Sequence, residues 1–177
     1  MAQMAALVAL PFEIQRLGHS AVATGLFMTP WPLALAVAAP LAGRLADRHA
    51  AGMLGGLGLL AVAAGLMLLA FLPASSTPAG FVWRMALCGA GFGFFQAPNN
   101  RAIMNSAPRA RSGVAGGMLS AARLLGQTLG AAGVAILFRA YGAAGSNFAL
   151  CLAALLALAG AGVSVVRLSA RPTEETP

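Results

Sequence analysis

Residues 21–42 and 53–72 are two long apolar runs joined by one short polar link, Gly43-Arg44-Leu45-Ala46-Asp47-Arg48. About 20 consecutive apolar residues are enough to cross the hydrocarbon core of a bilayer. A charged hexapeptide between two such runs is therefore a loop at a membrane surface. Composition supports this choice of solvent. Apolar residues make up 59% of the 177-residue chain and charged residues 8%, where a soluble domain carries about 25% charged residues. A soluble fold of this length has no way to hide so much apolar surface.

The chain divides into six apolar units. They fall at about 1–16, 21–43, 52–72, 80–98, 112–138 and 146–167, with a polar tail over 169–177. In hydrocarbon every backbone N–H and C=O must be satisfied within the protein, so spanning segments are helices or a closed barrel. The runs are about twice the length of a barrel strand and lack period-2 alternation, which selects helices. The first unit is too short for a full span, and Pro11 falls where it would kink or stop a helix. It reads as the second half of a spanning helix. The expected fold is therefore all-α and membrane-integral, with five full spanning helices plus one partial. Pro30, Pro32 and Pro40 should loosen the second helix.

The net charge is +7, and all 11 basic residues are arginine. They are scattered over short loops, with no basic face and no aromatic interleaving, so nucleic-acid binding is not the reading. Retention of loops on the cytoplasmic side is. Arg44, Arg48, Arg101, Arg109, Arg111, Arg167 and Arg171 share one side when spans are counted, against Arg16 and Arg139 on the other. This asymmetry places the first set, and the C-terminus, in the cytoplasm.

Polar residues within the spans are few, and each is a functional candidate because intramembrane charge is costly. Arg123 lies near the middle of the fifth helix, with Gln127 one turn later on the same face. The pair faces a substrate path or helix seam, or else Arg123 bonds to backbone carbonyls as structural glue. Glu13 is a proton carrier if it is embedded, or a surface partner of Arg16 three residues on; the spacing favours the surface pair. Gln96, Asn99 and Asn100 gather where the fourth helix is expected to end, a common place for asparagine. Trp83 and Arg84 suit an interfacial position. Glycines spaced by four, at 52/56, 89/93, 113/117 and 126/130, mark close helix approach. Cys88 and Cys151 sit inside apolar runs and read as small buried hydrophobes. There is no metal-ligand spacing, cofactor motif, phosphate loop or nucleophile–base set, so neither a cofactor nor a metal nor enzymatic activity is expected.

The link matches the pattern Gly-x-Leu-Ala-Asp-Arg through Gly43, Leu45, Asp47 and Arg48, and so resembles the signature loop of the major facilitator superfamily. It reads as a gating loop in which Asp47 and Arg48 act as a latch, Asp47 pairing with arginines of the loop or accepting from helix N-terminal amides. Its continuation, His49-Ala50-Ala51-Gly52, lacks the basic residues of that pattern and displaces its glycine. Two further stretches, residues 91–101 (GFGFFQAPNNR) and 121–130 (AARLLGQTLG), resemble the C-terminal half of bacterial drug:proton antiporters with fourteen spanning helices. The resemblance covers about residues 5–168. It implies a C-terminal transmembrane bundle over residues 1–168, incomplete at its N-terminus, in a bacterial cytoplasmic (inner) membrane. It also implies proton-coupled efflux of small apolar or cationic molecules, and a partner N-terminal half that is not in this chain. Within the family the first and fourth of these helices line the cavity, which would bring Glu13 and Gln96 toward substrate. The fifth would meet the other half, making Arg123 and Gln127 gate or seam residues. A rival reading is a small self-standing membrane subunit with a structural or regulatory role.

Overall fold

The computed structural model describes residues 1–16, 18–73, 77–108 and 111–169. Among these residues seven α-helices follow in order: α1 (Ala2–Arg16), α2 (Ala21–Met28), α3 (Pro30–Leu45), α4 (Ala51–Ala70), α5 (Pro78–Asn105), α6 (Ser112–Tyr141) and α7 (Gly145–Ser169). No strand occurs among the described residues. Arg109, Arg171 and the tail beyond Ser169 lie outside them.

Each apolar unit becomes a helix, with one division that the prolines explain. Ser20 starts α2 by accepting from the Ala23 amide at 3.2 Å. Pro30 and Pro32 have no amide proton, so the ladder lapses at Thr29 and resumes with Leu33 N–H to the Thr29 carbonyl at 3.3 Å. Together α2 and α3 cover Ala21–Leu45, 25 residues. This segment, α4, α6 and α7 are long and apolar enough to cross a membrane. At 1.5 Å per residue α5 is about 42 Å long, while α1 is about 22 Å and covers only part of a bilayer.

Of the two alternatives at Pro11 a stop is excluded, and the end expected for the fourth unit is corrected. The helix does not stop at Pro11, because α1 runs on to Arg16. Nor does the fourth unit end near residue 98, because α5 passes through Pro98 and continues to Asn105. Proline removes one ladder bond, and inside a bundle the neighbouring helices hold the rest of the helix in place. Pro98 is itself fully buried.

The helices pack as a bundle in which α5 lies against α3 and α4, α4 against α7, and α7 against α1. The shared core joins Leu10 and Ile14 of α1, Trp31 of α3, Val62, Leu66 and Leu69 of α4, Phe81, Met85 and Cys88 of α5, and Leu150 of α7. Small residues set how closely the helices approach. A Cβ placed on Gly58 would lie 2.5 Å from the Gly91 carbonyl oxygen, and one on Gly91 would lie 2.6 Å from that of Gly58. The α4–α5 seam is thus a direct backbone contact. Gly89 faces the Trp31 carbonyl across the α3–α5 seam in the same way. Spacing by four is an unreliable guide to these seams. Gly89 and Gly93 do face α3, but Gly113 and Gly117 have open space around them.

Helix α6 is the loosest member. It packs on α1 and α7 and only lightly on α5, and Val114, Met118, Leu124, Leu125 and Ile136 are all more than 60% exposed. It ends at Gly142, whose φ of 55° reverses the chain into one 3₁₀ turn, Gly142–Ala144, before α7.

Candidate functional site

The longer α5 changes the environment of its polar residues. Gln96, Asn99 and Asn100 are not helix-end caps. They lie within α5 at i, i+3 and i+4, on one face. That face lines a cavity of about 380 Å³. The opposite wall belongs to α6, whose lining residues Leu119, Ala122, Arg123, Gly126 and Gln127 follow helical spacing. Apolar walls come from Leu59 and Val62 of α4, Phe92 and Phe95 of α5, and Leu156 of α7. Five of the polar candidates therefore meet around one space. Arg123 bridges the two helices by donating from Nη2 to Asn100 Oδ1 at 3.5 Å. Gln3 of α1 also lines the cavity; in the sequence it is an ordinary polar residue near a terminus, with nothing to single it out.

Glu13 is elsewhere. It is not among the cavity's lining residues, and its setting corrects the expectation of a surface pair. The pairing with Arg16 is present, with Nε donating to Glu13 Oε2 at 3.0 Å, but Glu13 is only 5% exposed. Its carboxylate also accepts from the hydroxyl of Ser146 at the start of α7. A partner 133 positions away has no local sequence signal.

The link between α3 and α4 shows a further correction. Gly43 and Leu45 belong to the last turn of α3, and Asp47 and Arg48 to the turn that follows. The loop reading pairs Asp47 with arginines of its own loop or with helix N-terminal amides. Instead its Oδ1 accepts from Arg101 Nη1 of α5 at 2.6 Å. The same guanidinium nitrogen lies 3.4 Å from the Gly43 carbonyl oxygen. Arg101 therefore ties the end of α5 to the end of α3. Only its charge was legible in the sequence; its partnership depended on α5 running past Pro98.

Among the described residues there are further openings. One of about 300 Å³ shares Leu59, Phe95, Asn99 and Gly160 with the cavity. Another, about 820 Å³, is an apolar groove between α3 and α5. At the far end of α5, Arg84 Nη1 turns back to the Gly80 carbonyl at 2.7 Å and its guanidinium lies 4.6 Å from the Trp83 ring. Among the described residues no His, Cys, Asp and Glu gather in a set able to hold a metal ion.

An all-helical chain with spanning helices, a polar-lined interhelical cavity and this signature loop is the pattern of a membrane transport bundle. The family model described as Major Facilitator Superfamily matches residues 1–177, and the chain belongs to that family. It is 56% identical over 169 residues to the uncharacterized transporter YebQ of Escherichia coli (strain K12), covering 95% of this chain and 37% of that protein. It is 33% identical over 131 residues to the riboflavin transporter RibZ of Clostridioides difficile (strain 630), covering 73% and 29%. It is 34% identical over 113 residues to the multidrug resistance protein Stp of Mycobacterium tuberculosis (strain ATCC 25618 / H37Rv), covering 64% and 21%. The chain thus spans little more than a third, or less, of the curated relatives it matches.

Proposed function

We propose that residues 1–168 form the C-terminal bundle of a proton-coupled small-molecule exporter in the bacterial cytoplasmic membrane, with residues 169–177 a cytoplasmic tail. An N-terminal half would supply the other wall of the transport path. The observation that carries this reading is the cavity in which Gln96, Asn99, Asn100, Arg123 and Gln127 face Leu59, Phe92 and Phe95. Amides and a guanidinium on one side and aromatic and aliphatic carbons on the other suit an amphiphilic organic molecule. The cavity also lies toward the end of α5 that carries Arg101, the end that the arginine asymmetry assigns to the cytoplasm. Loading from within the cell, and hence export, fits that position.

The Asp47–Arg101 pair serves in this reading as a latch. It joins α3 to α5 at the same end of the bundle and holds one arrangement of the helices until substrate or protons favour another. Exposed α6 surface suits packing against the missing half. Proton coupling and a multidrug range are the finer parts of the proposal. The multidrug resistance of one relative supports the multidrug range, while the riboflavin transport of another leaves that range to experiment.

A chimera tests the proposal. The matching 169-residue portion of the Escherichia coli relative is replaced by this chain, and dye accumulation is measured in energised cells lacking their major exporters. Lower accumulation, reversed by a protonophore, is the expected result. Accumulation equal to that of the empty vector, with the chimera present in the membrane, sinks the reading.

A further inference from the structure

We infer that the cavity selects aromatic substrates bearing a negative charge, with Arg123 as the docking point for the anionic group. This rests on the cavity being the transport path. The argument begins with where the acids are. Glu13 is engaged by Arg16 and Ser146, and Asp47 by Arg101. The remaining two, Glu174 and Glu175, lie outside the described residues. No Asp or Glu is among the described residues lining the cavity. Its charged side chain is the Arg123 guanidinium, which no ion pair among the described residues neutralises; the amino group of Met1, beside Gly126, is a second positive group at the lining.

A guanidinium within a membrane bundle requires compensation. Here its recorded partner is a neutral amide at 3.5 Å, a long contact. Most of its five donors remain for a ligand, arranged as the planar fork that matches a carboxylate, sulfonate or phosphate oxygen pair. Gln96 and Gln127 add amide donors beside it on the two facing helices. The Phe92 and Phe95 rings, with centroids 6.2 Å apart, form the apolar wall on which a ring system can lie. A cationic molecule would meet like charge there, with no acid among the described lining residues to receive it. The site therefore discriminates by charge sign as well as by hydrophobicity.

Binding of three ligands with one ring system, 2-naphthoate, 2-naphthalenemethanol and 2-naphthylmethylammonium, to the chain in nanodiscs isolates the charge, with empty nanodiscs subtracted. The expected order is carboxylate, then alcohol, then ammonium. Arg123→Gln should weaken the carboxylate by about 10- to 100-fold, the range for a charge-assisted hydrogen bond, and leave the alcohol unchanged. Arg123→Lys should keep part of the preference. Equal or tighter binding of the ammonium by the unmodified chain overturns the inference while leaving the cavity a binding site, and this arm needs no variant to fold. Loss of all three ligands alike in Arg123→Gln also overturns it. If none of the three binds the unmodified chain, the transport-path reading falls, and the inference with it.

Discussion

Replacing Gly89 by alanine should separate α3 from α5 and cost more than any other single methyl added to a glycine of this bundle. The new Cβ would lie 2.1 Å from the Trp31 carbonyl oxygen, 2.9 Å from its carbonyl carbon and 3.0 Å from its Cα. All three obstacles are backbone, so no rotamer change relieves them. Ordinary contact starts near 3.4 Å, so the helices must part by about 1 Å, a gap that forfeits a quarter to a half of each dispersion contact along the seam. Overpacking of a close-packed core costs roughly 1–3 kcal/mol, and a rigid obstacle puts Gly89→Ala at the upper end. Gly117→Ala is the matched control, since nothing lies within 4 Å of its Cβ position. It should gain up to about 1 kcal/mol of helix propensity. At roughly 2–4 °C per kcal/mol for a chain of this length, the two variants should differ by about 10 °C in thermal midpoint, measured on the purified chain in one lipid nanodisc by circular dichroism. Midpoints within a degree of each other, or a Gly117→Ala variant that melts first, would refute the backbone-contact argument.

Four further outcomes follow from the same geometry. Asp47→Asn should change the chain's stability by less than about 1 kcal/mol, because Arg101 and Asp47 are 53% and 57% exposed; in the transporting chimera it should nonetheless alter export rate, and an unchanged rate would remove the latch. Glu13→Leu and Ser146→Ala should each loosen α1 from α7 by roughly 1.5–3 kcal/mol, the range for hydrogen bonds to charged groups, read as lower thermal midpoints; a loss well below that range in both would mean that the buried carboxylate does not hold the two helices together. Reporter fusions after Ala50 should read cytoplasmic and after Gly142 external, and the reverse pattern would overturn the orientation. Arg123→Leu should raise the midpoint of the isolated chain, since a mid-depth arginine costs about 3 kcal/mol and its long bond to Asn100 returns little; a lowered midpoint would show that Arg123 is structural glue.

Some of this protein is written along the chain. Apolar length and the demand for internal backbone hydrogen bonds suffice for spanning helices, and the loop containing Gly43, Leu45, Asp47 and Arg48, with the stretches 91–101 and 121–130, carries the family resemblance. The helical spacing of Arg123 and Gln127 already put both on one face of α6. These are properties of a single segment and its solvent, which a one-dimensional pattern can carry.

What only the tertiary structure decided concerns relations between segments. The rule that asparagine marks a helix end is local, and at Asn99 and Asn100 it lost to a setting in which α3 and α4 pack on α5 and Pro98 is buried. That extension turned Asn99 and Asn100 from presumed caps into cavity walls and carried Arg101 to Asp47. Glu13 kept the partner its spacing suggested, yet docking of α1 on α7 buried it and added Ser146. Glycines at equal spacing met either a backbone, at Gly89, or open space, at Gly117. Hydropathy records what each residue does in water or lipid, but not which helix will stand beside it, and that depends on close packing summed over the whole bundle.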